Sequence, residues 1–270
     1  TTFFPRWYME DQAEVDTWFE REMPNAATRP LFEKAAQYKI GFYLGYAELT
    51  PDGHHFNTAI LVDRDGKIVG KYRKVHLPGH SEFDPERAFQ HLEKRYFEPG
   101  DLGFPVWRTM GGIVGMCICN DRRWPETYRV MGLQGVELIV LGYNTPSVNS
   151  QKAEEGPEKR IFHHRLMVQA GAYQNSTWVV AVAKGGAEDG FPMIAGSMIP
   201  DRVAVARGRP GAFGAEAHGR RATDGFRTDT GRVKVRQARI AAAAGLQVAG
   251  LRLACDWRDI DEREPARVPQ

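Results

Sequence analysis

The sequence is short of the features that would settle its class at a glance. It has three cysteines in 270 residues, too few for a disulfide framework, which places it in a reducing, cytoplasmic compartment. It contains no Cys-x-x-Cys and no His-Glu-x-x-His spacing, so no metal-binding motif is present. No apolar run approaches the ~20 residues that span a bilayer. The opening Thr-Thr-Phe-Phe-Pro-Arg-Trp has neither the basic nor the apolar region of a signal peptide, and it does not begin with Met, so the native N-terminus is expected further upstream. A net charge of +2 excludes the basic footprint of a nucleic-acid or membrane-surface binder. What is present, 42% hydrophobic and 26% charged residues, is the composition of a soluble globular protein with a substantial core.

One stretch stands out. An apolar run over 113–118 delivers Cys119 to an abrupt polar turn, Asn120, Asp121, Arg122 and Arg123, after which Trp124 and Pro125 open a helical segment. A cysteine at a strand-to-helix turn beside two cations is where a thiolate can be both exposed and stabilised. A buried structural thiol is the plainer alternative.

The rest of the chain reads as mixed α/β. Helical spacing covers 29–38, 124–133 and 159–175. Strands are expected over 40–47, 56–62, 68–72, 104–107, 112–119, 135–141 and 177–183, with turns at Thr50-Pro51-Asp52-Gly53 and Arg64-Asp65-Gly66. The first three strands are hairpin-linked and so antiparallel; 112–141 reads as a parallel strand-helix-strand unit. Lys74 and His76 end the third strand, where cations also commonly mark a solvated edge. Residues 80–100 lack periodicity and carry His91 and Glu93, and a structured loop of that length is more often functional than idle. Asn144 and Thr145 lie at the carboxyl end of a buried strand, where open α/β sheets place ligands.

Residues 201–270 change character. The first 200 residues hold nine lysines and thirteen arginines; the last 70 hold one lysine and thirteen arginines, with only Phe213, Phe226 and Trp257 as aromatics. Beyond a weak strand at 202–206 and a helix at 234–244 there is little core-forming pattern. The chain therefore divides into a domain over 1–200 and an Arg/Ala/Gly-rich tail over 201–270, either poorly ordered or translated out of frame.

Three motifs, Gly-Lys-Tyr-Arg-Lys-Val-His-Leu-Pro-Gly (70–79), His-Leu-Glu-Lys-Arg-Tyr-Phe-Glu-Pro-Gly-Asp (91–101) and Cys-Asn-Asp-Arg-Arg-Trp-Pro-Glu (119–126), resemble the nitrilase superfamily of carbon-nitrogen hydrolases. With Gly-Tyr-Asn-Thr-Pro (142–146) the likeness is closest to its N-carbamoyl-D-amino acid hydrolases, and it runs from Thr1 to about residue 199. The resemblance implies a four-layer α-β-β-α sandwich without metal or organic cofactor, a small-molecule N-carbamoyl amino acid as partner, and a homo-oligomer. It implies Cys119 as nucleophile, Lys74 as the cation beside it, and Glu93 fixing that lysine. His76 and His91 match pocket histidines. Arg122 and Arg123 form a fork for the substrate carboxylate, with Asn120, Asn144 and Thr145 as neutral partners. The family's general-base glutamate lies in a Pro-Glu motif just upstream of the segment on which this chain opens. The first strand, first helix and that glutamate are therefore expected to lie outside these residues, leaving an incomplete, weakly active or inactive form with a diverged C-terminal segment. A β-ureidopropionase-like or other amidase on the same triad is one alternative; a non-catalytic binding or assembly module is another.

Overall fold

Along β2 (His55–Val62) alternate side chains serve two different cores. Ala59 and Leu61 join the large core shared with a second sheet, while Ile60 and Val62 join a smaller one with Phe32 and Ala35 of helix α2 (Arg29–Tyr38). A strand whose two faces are both covered must lie inside a layered stack. The computed structural model that shows this describes residues 4–87, 89–152 and 154–200. The expected tail, with its strand at 202–206 and helix at 234–244, lies outside the described residues.

The first sheet is an antiparallel meander in the order β1-β2-β3, built from β1 (Phe42–Leu49), β2 and β3 (Ile68–Arg73). Its two turns pass through Gly53 (φ 92) and Gly66 (φ 74), where a left-handed backbone favours glycine. The second sheet runs β4-β5-β6-β7. Here β4 (Val106–Thr109) is antiparallel to β5 (Gly112–Ile118), and β6 (Leu138–Tyr143) and β7 (Trp178–Ala183) continue in parallel. Helices α4 (Pro125–Leu133) and α5 (Pro157–Gln174) make the parallel crossovers and bury Tyr128, Met131, Val168 and Ala172 in the large core. The order of layers is α2, first sheet, second sheet, then α4 with α5, which is the expected α-β-β-α sandwich.

Element boundaries differ from the sequence reading for local reasons. The strand expected at 104–107 begins at Val106, because Pro105 has no N–H to give the ladder. The one expected at 135–141 begins at Leu138, since Gly135 (φ 80) and the Val136 N–H, which donates to Met131 O, still belong to the turn after α4. Two short helices were not expected: α1 (Gln12–Asp16), capped by the Asp11 side chain, and α3 (Glu93–Tyr96). Elements of five and four residues are too short to show a period. Among the described residues no helix is long and apolar enough to cross a membrane.

Candidate active site

The strand β5 ends at Ile118, one residue short of the expected 112–119, because the backbone turns left-handed at Cys119 (φ 48). That conformation is uncommon for a residue with a side chain and costs of order 1 kcal/mol or more. It opens the 3-10 turn Cys119–Arg123, and Pro125 at the start of α4 then sets the helix direction. Burial works against ionisation of Cys119, yet the Lys74 and Arg122 cations outweigh it and hold the thiol below its ordinary value. Cys117, fully buried two residues earlier, is pushed well up by burial and by Asp121.

Lys74 follows directly on β3 and is 1% exposed. Its backbone is pinned on both sides: its N–H donates to Asn57 O (2.8 Å) and its carbonyl accepts from Gly100 N (2.8 Å). Gly100 passes so close that a Cβ would sit 2.0 Å from Arg73 O. The Lys74 ammonium donates to Oε1 of Glu93, which also accepts from Asn57 Nδ2 (2.9 Å), while His91 Nε2 lies 3.3 Å from Oε2. Burial would raise the Glu93 carboxyl, but Lys74 and His91 pull it down to about 2. Burial likewise opposes the Lys74 charge, and Glu93 and Cys119 raise it above the ordinary lysine value. The pair stays ionised inside the core.

Asp121 ties the two sheets together at this point. It is fully buried and accepts four hydrogen bonds: from Tyr72 Oη (2.7 Å), the His76 N–H (3.0 Å), His76 Nδ1 (2.9 Å) and the Ile118 N–H (3.0 Å). Tyr72 and His76 stand two residues either side of Lys74; Ile118 adjoins Cys119. His76 itself stacks on Trp124 (5.0 Å, 11°) and gives its carbonyl to Asn120 Nδ2 (3.1 Å). It does not line either of the two cavities at Cys119; Asp121 and Trp124 hold its ring.

The two arginines part company. Arg122 is 1% exposed. It donates from Nε to His164 Nδ1 (2.9 Å), from Nη1 to the Cys119 carbonyl, and from Nη2 to Thr145 Oγ1 (3.1 Å). It sits beneath the turn rather than forming a fork with Arg123, which is exposed. Two cavities meet at Cys119. The larger, about 600 Å³, is lined by Lys74, Glu93, Asn57, Tyr143 and Phe89 among others; the smaller, about 40 Å³, by Arg123, Asn120, Thr145 and Arg160. His91 and Asn144 line both. Thr145 Oγ1 lies 3.9 Å from Cys119 Sγ. Sequence reasoning passed over Asn57, Tyr72, Asp121, Tyr143 and His164. A buried asparagine in the apolar β2 run was a signal for the first; the others act across distances no local pattern records. Among the described residues no cluster of three or more His, Cys, Asp or Glu could hold a metal.

Comparison with known proteins gives the family. The sequence pattern of the carbon-nitrogen hydrolase family matches residues 2–214, past the 199 at which the resemblance faded from view. An N-carbamoylputrescine amidase of Solanum lycopersicum is 37% identical over 134 residues, 50% of this chain and 41% of that protein. A citrullinase of Francisella tularensis is 37% identical over 108 residues, 40% of this chain and 35% of its own length. The chain thus spans about half or less of these relatives. A carbon-nitrogen hydrolase from Helicobacter pylori G27 superposes with a TM-score of 0.61 at 24% identity, covering 74% of this chain and 66% of that one. An amidase from Nesterenkonia sp. AN1, with the acetamide moiety of fluoroacetamide added covalently at its active site cysteine, superposes with a TM-score of 0.51 at 23% identity, covering 66% and 59%. The chain belongs to the carbon-nitrogen hydrolase family, the nitrilase superfamily, and has its fold.

Proposed function

We propose that this carbon-nitrogen hydrolase acts on N-carbamoyl amino acids, with Cys119 as nucleophile. The observation that carries the reading is the placement of Cys119 at the junction of two cavities, one holding Lys74 and Glu93, the other opening on Arg123. The thiolate attacks the carbamoyl carbon, and Lys74 is placed to stabilise the developing oxyanion. Collapse of that intermediate expels the terminal nitrogen, which takes a proton and leaves as ammonia. Water then cleaves the thiol-bound carbamoyl group, and the carbamic acid loses carbon dioxide to release the amino acid. Glu93, bonded to the Lys74 ammonium and to Asn57 Nδ2, orients the lysine. Both arginines line the smaller cavity, and Arg123, the exposed one, is the candidate to meet a substrate carboxylate, with Asn120, Asn144 and Thr145 beside it.

The names of the relatives support a second reading, a carbamoylated amine such as N-carbamoylputrescine. One panel separates the two. Ammonia release and the mass of the Cys119 peptide are followed with N-carbamoyl-D- and L-amino acids, 3-ureidopropionate, citrulline and N-carbamoylputrescine. Adduct and ammonia greatest with a carboxylated urea, and lost in Cys119→Ala, support the first reading, and the enantiomer pair tests the D preference that the resemblance implies. Greatest turnover of N-carbamoylputrescine would replace it with the second.

A further inference from the structure

The charge arithmetic around Cys119 is uneven. The charged groups around it are Lys74 beyond β3, Glu93 on α3, Arg122 and Arg123 in its own turn, Arg160 on α5, and the buried Asp121, whose carboxylate is bonded to Tyr72, His76 and the Ile118 N–H. The nearby phenols of Tyr43 and Tyr143 are neutral. Lys74 is matched by Glu93 in a buried ion pair, and Arg160 faces Glu155 at 3.6 Å. Among the described residues Arg122 has no carboxylate within ion-pair distance. Its partners are a carbonyl, a threonine hydroxyl and a histidine, and its guanidinium lies over the Tyr143 ring at 4.4 Å. None of these is an anion.

The histidine is neutral on geometric grounds. A guanidinium only donates, so His164 Nδ1 must accept from Arg122 Nε, and the ring proton resides on Nε2. There it faces Tyr143 Oη (2.8 Å) and Gly196 O (3.2 Å), and the Tyr143 hydroxyl donates on to Gly196 O (2.9 Å). Burial and Arg122 both push His164 down, to about 3, which keeps it uncharged. An arginine buried among neutral partners carries a desolvation cost of several kcal/mol unless a counter-charge is near. Cys119 Sγ lies 3.8 Å from its Nη1.

We infer that Arg122 is a positioning residue whose charge, added to that of Lys74, keeps Cys119 a thiolate, and that His164 serves it by accepting from Nε without supplying a negative charge. In this arrangement Glu93 offsets part of the pull of Lys74 on the thiol, and Arg122, its Nη1 3.8 Å from Sγ, adds a second cation. The same guanidinium, through the Cys119 carbonyl, holds the left-handed turn that aims the sulfur. The inference rests on the reading of Cys119 as nucleophile.

The test replaces the neutral acceptor by a charged one of similar reach. In the full 270-residue chain, His164→Asp puts a carboxylate where Nδ1 accepts; His164→Asn puts a neutral amide oxygen there. The rate of alkylation by iodoacetamide is read at Cys119 across pH by peptide mass spectrometry, and circular dichroism confirms folding. His164→Asn is expected to keep the wild-type midpoint, and His164→Asp to raise it by about one pH unit or more, as a newly paired cation would. Arg122→Gln is expected to raise it similarly and Arg122→Lys to restore most of the shift. If Arg122→Gln does not fold, the His164 pair decides, because Arg122 is intact in both. Equal midpoints in His164→Asp and His164→Asn would overturn the inference while leaving the nucleophile reading standing. A wild-type midpoint no lower than a free thiol's would overturn both.

Discussion

Lys74 donates to Glu93 with the lysine 1% and the glutamate 5% exposed. Two opposite charges so deep in a protein survive only together, because each alone would carry a desolvation cost of several kcal/mol. Replacing either residue by alanine therefore leaves an unmatched buried charge and is expected to lower stability by ~3–5 kcal/mol. Replacing both by apolar residues of similar volume should cost less than the sum of the single changes. Urea denaturation of the two single variants and the double variant measures the difference.

Stability should also fall with acid in two separable steps. His164 has its value lowered to about 3 from 6.5, so the unfolded chain takes up a proton that the folded chain refuses. Its contribution is fully present above 6.5 and is lost as pH falls toward 3. Glu93, lowered from 4.5 to about 2 by Lys74 and His91 against the opposing effect of burial, contributes in the same direction but lower, between 4.5 and 2. Thermal melts across pH should show the first decline beginning near 6.5 in the wild type. In His164→Asn that early decline should be reduced, with the decline below 4.5 retained.

Arg123 is expected to govern affinity for the charged end of the substrate. Arg123→Ala should weaken kcat/KM for carboxylated ureas by about 10-fold or more, the worth of one lost charge-assisted hydrogen bond. Uncharged carbamoyl compounds should be little affected. Steady-state kinetics on a matched acid and amide pair gives the ratio.

Asp121 joins the strand bearing Lys74 to the turn bearing Cys119 through Tyr72, His76 and Ile118. In Asp121→Asn the amide nitrogen must face a donor that the carboxylate oxygen had accepted from. A loss of ~1–3 kcal/mol is expected, together with slower labelling of Cys119 as the two sheets lose their common anchor. Tyr72→Phe, which removes one of the four bonds, should do less of both.

Much of this site could be read from short segments, for a physical reason. Cys119, Lys74 and Glu93 each sit at a break in local pattern: an apolar strand meeting a polar turn, a strand ending in cations, a loop without period. Such breaks are encoded by neighbours in sequence. The direction of a long side chain is not. Arg122 and Arg123 look equivalent in the chain, yet one is buried against His164, forty-two residues away, and the other is exposed. The orientation of His76 is likewise not local, since it depends on Asp121 and on stacking against Trp124. Spacing made the hairpin-linked strands and the parallel strand-helix-strand unit legible, the four-layer order came from the family resemblance, and edges shifted where Pro105 and Gly135 changed the hydrogen bonding.

The central claim, that Cys119 is an activated nucleophile, has an internal control two residues away. Iodoacetamide labelling across pH, read separately on Cys117 and Cys119, compares a thiol that burial pushes up with one that Lys74 and Arg122 hold down. The account predicts that Cys119 labels with a midpoint below the ~8.5 of a free cysteine, while Cys117 stays unlabelled in the folded chain. A Cys119 midpoint at or above that of a free cysteine, or equal labelling of the two thiols, would contradict it.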